Sequence, residues 1–167
     1  MSEPSTPSAP ADGSTSDSFA PPAKPKSIHV SLKRLNDAML VEATNDTGAT
    51  LRLDGSPDIG GVNGGFSPMQ ALVAAAGGCS VIDIVMILNK QKLTIQDLTV
   101  EIDAQREQMK GYTEFSAIHL RYHLIGDIPQ ERAERAMNLS VEKYCSVLKT
   151  LEKTADITAE IEVTQPE

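Results

Sequence analysis

SPMQALVAAAGGCSVIDIVMILNK, residues 67–90, decides the fold of this chain. Ser67 and Pro68 form a helix-opening pair, with serine as N-cap and proline at the first helical position. Between Met69 and Leu88 the only polar residues other than glycine are Gln70, Ser80 and Asp83. A helix this apolar cannot lie on a surface and needs cover on most sides, which a single small domain supplies with difficulty. The reading therefore expects a central helix to about Lys90 and a second subunit against it. A membrane span is disfavoured, because Asp83 near its middle would cost about 2.5–3.5 kcal/mol to insert. Gly77 and Gly78 are poor helix formers, at about 1 kcal/mol each relative to alanine. They precede Cys79 directly, and the expectation is that they clear space beside it for the second subunit's helix or for the segment holding the other cysteine.

Outward from this helix the pattern is that of strands. Upstream, Ile28, Val30 and Leu32 alternate with polar residues, and Met39–Thr44 and Ala49–Leu53 follow across turn signals. DGSPDIGGVNGG, residues 54–65, reads as a flexible loop or a lid over a pocket. Downstream, Leu98, Val100, Ile102 and Ala104 share one strand face, and Ile118, Leu120, Tyr122 and Leu124 share another. Pro129 opens a helix and Ser140 is expected to cap a further one, whose apolar stripe is Val141, Tyr144, Cys145, Leu148 and Leu151. Ile157–Val163 closes the chain as a strand. The order is α+β with largely antiparallel sheet, not the strict alternation of a doubly wound fold. Residues 1–25 hold six of the ten prolines and six serines, and are expected to be a disordered tail before a single domain over 26–167.

Composition narrows function. A net charge of −8 argues against nucleic-acid binding. No basic segment followed by an apolar one opens the chain, so a cytoplasmic location is expected, where a structural disulfide is unusual. His119 and His123, four strand residues apart, lie about 13 Å from each other and do not share a metal. The glycine loop lacks a phosphate-binding fingerprint, and GGCS does not reproduce a nucleophile elbow. The two cysteines, Cys79 and Cys145, match neither a zinc spacing nor a CxxC motif. Both are placed on helices whose apolar faces must be buried, so they are either inert core thiols or a pair that meets through folding. Asp83, four residues after Cys79, would disfavour a thiolate there unless a cation offsets it.

The helix, followed by LSVEKYCSVLKTL over residues 139–151, resembles the OsmC/Ohr superfamily, in particular an OsmC-like branch with a GGC(S/T) helix and an LSxEKYCSV segment. The similarity runs over roughly residues 28–164. It implies an intertwined homodimer in which two six-stranded sheets wrap around paired central helices. It also implies a thiol-dependent peroxidase: Cys79 attacks an organic hydroperoxide, Cys145 resolves the sulfenic acid as a disulfide, and a dithiol reductant restores the pair, with no metal or other cofactor. Members with an NPEQ-like segment use its Glu to hold an Arg beside the thiolate. Here the segment is SPMQ, with Met69 in place of that Glu, and Arg34 and Arg52 are the candidate cations. Met69, Asp83, Gly77 and Gly78 are expected to line the pocket or back the cysteines. A non-catalytic ligand-binding or redox-sensing protein on the same scaffold is the alternative.

Overall fold

The computed structural model describes residues 27–166, and the expected tail at 1–25 lies outside the described residues. Three short strands come first: β1 (Val30–Arg34), β2 (Val41–Asn45) and β3 (Thr50–Leu53). They pair antiparallel in sequence order as one sheet. Asn36 shapes the first turn, its side-chain oxygen accepting from Ala38 N and Leu40 N. Asn45 does the same for the second through Thr47 N and Ala49 N. These are Asx-type turns, which explains why Asn rather than Gly marks each bend.

The loop over 54–65 departs from the expected flexible segment. Asp54 is buried and its carboxylate accepts from the backbone N–H groups of Gly55, Val62 and Gly64. Those bonds, that from Gly64 foremost, hold its carboxyl below the usual carboxylate range. The loop is pinned from inside, with a short 3-10 turn at Pro57–Ile59.

The long helix α1 (Pro68–Lys90) begins as the sequence predicts. Ser67 Oγ accepts from Gln70 N at 3.2 Å, and Ser67 N donates back to Gln70 Oε1 at 2.9 Å, a complete capping box. Its buried stripe is Ala76, Gly77, Ser80, Ile84 and Leu88. The opposite stripe is bare: Ile82 is 61% exposed and Met86 51%. α1 is long and apolar enough to cross a membrane by length and composition, but its buried stripe packs on the core.

Strands β4 (Asp97–Gln108) and β5 (Thr113–Ile125) form a long antiparallel hairpin. The core lies between this hairpin and α1, with Ile118, Leu120, Tyr122 and Leu124 buried in the alternation expected. His119 and His123 face outward and bond Thr158 and Thr164 across the sheet, each at 2.7 Å. Helix α2 (Gln130–Leu139), a widened turn at Ser140–Tyr144 and helix α3 (Ser146–Leu151) lead into β6 (Asp156–Thr164). β6 pairs parallel to β5, because the helical crossover returns the chain to the same edge in the same direction. The architecture is α+β as expected, with two three-stranded sheets, one antiparallel and one mixed.

The segment from Ser140 corrects the sequence reading. Ser140 is buried and makes no cap; it opens a π-type turn in which Cys145 N donates to Ser140 O, five residues back, at 2.9 Å. Cys145 itself is extended (φ −67°, ψ 100°) and is the N-cap of α3, not a residue within a helix. The widened turn breaks the predicted stripe, so Tyr144 is 49% exposed while Cys145 is fully buried.

Candidate functional site

Helix α1 places Cys79 and Asp83 one turn apart on the same face. The break before α3 brings Cys145 to them from the other side. The two Sγ atoms and an Asp83 carboxylate oxygen all lie within 4.8 Å of one another. Cys79 is half-buried and Cys145 is fully enclosed. The Cys145 thiol contacts Ala76 O at 3.8 Å. Burial, and then the hydrogen bond it makes to Cys79, push Cys145 up to about 11, against the opposing pull of the Leu148 and Val147 N–H groups. Cys145 thus keeps its proton at neutral pH, and the accessible sulfur of the pair is Cys79.

A buried hydrogen-bond chain runs behind the pair. Tyr122 O–H donates to Ser80 Oγ at 2.6 Å, and Ser80 donates to Gly77 O at 2.9 Å. Ser140 Oγ reaches Asp83 Oδ2 at 3.1 Å and Ser80 O at 3.3 Å. Burial pushes the Tyr122 hydroxyl up to about 12, more than its bond to Ser80 lowers it. Sequence reasoning missed the parts of Ser80, Tyr122 and Ser140, whose partners are 42 to 60 residues away along the chain.

The remaining predicted residues are spread out. Arg34 folds back on its own hairpin, donating to Ala38 O at 2.9 Å and to Asp37 O. Arg52 pairs with Glu42 at 3.3 Å. Both belong to the β1–β3 sheet, and neither pairs with Asp83 or a cysteine. Met69, Gly77 and Gly78 line a cavity of about 750 Å³ closed by Val100, Ile102 and Arg106. Gly77 is where β4 comes close, since a Cβ there would sit 2.6 Å from Ile102 Cδ1. Gly78 has no atom within 4 Å of such a position. Asp83 lines a different cavity of about 550 Å³, with Met86, Ile87, Leu139 and Tyr144 as its apolar wall and Lys90, Arg132 and Arg135 around it. Among the described residues these three cations have no carboxylate within ion-pairing distance. As single charges on helices they carry no sequence signal; only the fold gathers them.

Comparison with known proteins gives a consistent result. The family described as OsmC-like protein matches residues 61–160. Protein YhfA of Escherichia coli (strain K12) is 41% identical over 98 residues, which is 58% of this chain and 72% of that protein. A hypothetical protein from Aquifex aeolicus VF5 superposes with a TM-score of 0.73 at 25% identity, over 85% of this chain and 99% of that one. An organic hydroperoxide resistance protein OsmC from Legionella pneumophila superposes with a TM-score of 0.65 at 18% identity, over 83% and 98% of the two chains, a likeness of fold.

Proposed function

The chain belongs to the OsmC-like protein family, and from that premise we propose that it is a thiol-dependent peroxidase that reduces organic hydroperoxides. The observation that carries the reading is the convergence of Cys79 and Cys145, drawn from distant segments, to within 4.8 Å. Two inert core thiols have no need to meet.

The chemistry follows from their surroundings. Half-buried Cys79, as thiolate, attacks the terminal peroxide oxygen; the O–O bond breaks, and the leaving alkoxide takes a proton to become the alcohol. Cys79 is left as sulfenic acid. Cys145 then attacks that sulfur, forming the disulfide and releasing water, and an external dithiol reduces the disulfide by exchange. Cys145, protonated at rest, leaves Cys79 as the sulfur that meets peroxide first, and gives up its proton as it attacks the sulfenic acid. The cavity beside Asp83, with its apolar wall, supports an organic rather than a purely polar peroxide, since burial of the organic group supplies binding energy.

The active form in this reading is a homodimer. The bare stripe of α1 and the exposed Val30, Leu32 and Leu51 of the N-terminal sheet are apolar surfaces that a second copy would cover. Three strands from each chain would then complete two six-stranded sheets around paired α1 helices. Assembly is also the route by which an arginine of a second copy would reach Cys79. A cytoplasmic setting suits a protein whose two cysteines cycle between thiol and disulfide.

The test is turnover of cumene hydroperoxide by reduced protein with dithiothreitol as reductant. Wild type turns over and C79S does not. C145S performs one reaction and accumulates a sulfenic acid that dimedone traps. Oxidation of wild type no faster than that of a free thiol would favour the ligand-binding alternative.

A further inference from the structure

We propose that Cys79, Asp83 and Cys145 form a binding site for a thiophilic divalent cation, zinc(II) foremost, which occupies the reduced site. The binding goes beyond the peroxidase reading and does not depend on it; only its consequence for peroxide does. The sequence gives no hint of such a site, because a ligand pair at i and i+4 is completed from 62 residues further on. The fold assembles it, and among the described residues no other three Cys, His, Asp or Glu donors converge in this way.

Three features argue for a ligand. First, the donors fit. A tetrahedral zinc with sulfur at about 2.3 Å and carboxylate oxygen at about 2.0–2.2 Å holds its ligands about 3.5–3.8 Å apart. The three donor atoms already lie within 4.8 Å of one another, so small side-chain rotations close the site. Second, the carboxylate is held in place from behind. Ser140 Oγ, 3.1 Å from Asp83 Oδ2, braces it as the outer-shell partners of metal ligands do. Third, Asp83 stands between two thiols and has no ion-pair partner among the described residues. A divalent cation supplies the charge that this cluster lacks. Because Cys79 is only half-buried, the metal has a path in and an open fourth position for water.

Binding displaces the two thiol protons and ties up a lone pair on each sulfur, so peroxide must compete with the metal. Where peroxide prevails, two thiolates lose two electrons to form the disulfide. The hydroperoxide takes those electrons and two protons to give alcohol and water, and the cation is released. The site would therefore hold metal only while reduced.

The experiment uses the full chain, reduced and anaerobic, with cobalt(II) as a spectroscopic probe and zinc(II) as competitor. One cobalt per chain should bind, with a sulfur-to-metal charge-transfer band and the intense visible bands of a tetrahedral site, and one equivalent of zinc should bleach both. D83N should weaken binding at least about tenfold. Wild type oxidised to the disulfide should show no charge-transfer band, a control that needs no substitution and so no assumption about folding. Absence of a tetrahedral spectrum, or equal affinity in D83N or in the oxidised protein, overturns the proposal. If cobalt binds as described but peroxide oxidises neither thiol, the peroxidase reading fails and the metal site stands.

Discussion

The two glycines before Cys79 provide a test in which one large effect cancels. Gly77→Ala and Gly78→Ala both replace a helix-interior glycine, so each gains about 1 kcal/mol of helix propensity. Their surroundings differ. The new methyl at 77 would stand 2.6 Å from Ile102 Cδ1 and 3.5 Å from Val100 Cγ1, and must turn the tip of the Ile102 side chain aside. Because that tip borders a cavity into which it can turn, the cost lies at the low end of overpacking, about 1 kcal/mol. The methyl at 78 meets nothing within 4 Å in its own chain. Subtracting one stability change from the other removes the propensity gain and leaves the Ile102 clash. G77A should therefore be less stable than G78A by about 1 kcal/mol, measured as urea unfolding free energies with association matched by sedimentation. In a protein of this size each kilocalorie moves the melting temperature by about 2–4 °C. If Gly78 faces a second copy, the penalty of G78A appears separately, as weaker dimerisation and a melting temperature that rises with protein concentration. Equal stability of the two variants at matched association would refute the claim that contact with the Ile102 side chain favours glycine at 77.

Other outcomes follow from the buried groups. Tyr122→Phe should cost about 0.5–1.5 kcal/mol and Ser80→Ala about 1–3, while the double variant should cost less than their sum, because removing both partners leaves no buried group unsatisfied; strictly additive values would show that the bond contributes nothing. Cys145 and Tyr122 hold their protons to about pH 11 and 12, whereas the unfolded chain releases them from its ordinary values of 9.0 and 10.0. The stability they confer is therefore intact below pH 9 and lost as pH rises through 11 and 12, by about 3 kcal/mol for Tyr122. Urea midpoints measured from pH 8 to 11.5 should fall, and fall less in Tyr122→Phe; a flat profile would contradict the burial argument. Asp54→Ala should free the 54–65 loop, read as faster proteolytic cleavage there, and wild type should show the same change as pH drops through the depressed Asp54 value; unchanged cleavage would show that the carboxylate does not pin the loop.

What was legible in the sequence was whatever local chemistry determines. Ser67 and Pro68 set the start of α1, and alternation in Ile118–Leu124 set the buried face of β5, because capping and pleat are decided within a few residues. The choice of Cys79 and Cys145 as a pair came from a family likeness, and the fold brings their sulfurs within 4.8 Å of each other. The rest depended on contacts between distant segments. Val141, Tyr144, Cys145, Leu148 and Leu151 have helical spacing, yet the wide turn at Ser140 shifts the register, burying Cys145 and turning Tyr144 outward. Ser140 looked like a cap because serine so often is one; its hydroxyl is instead committed to Asp83 and the backbone of α1. The glycines were expected to clear space for a second subunit's helix or the Cys145 segment; Gly77 instead makes room for Ile102 of β4, a partner that no local pattern could name, and a side chain at Gly78 would meet no atom of the described residues within 4 Å. Arg106, Arg132 and Arg135 carry no signal of their place in the sequence, because cavities are products of packing, not of spacing.

The central claim, that Cys79 and Cys145 act as one redox unit, is tested most directly by stoichiometry. Reduced protein is titrated with cumene hydroperoxide under anaerobic conditions, free thiols are counted, and the product is mapped by peptide mass. The account predicts that one equivalent of peroxide removes two thiols per chain, that the product is a disulfide joining Cys79 to Cys145 within one chain, and that C79S abolishes both. Loss of a single thiol per peroxide, or a disulfide only between chains, would contradict it.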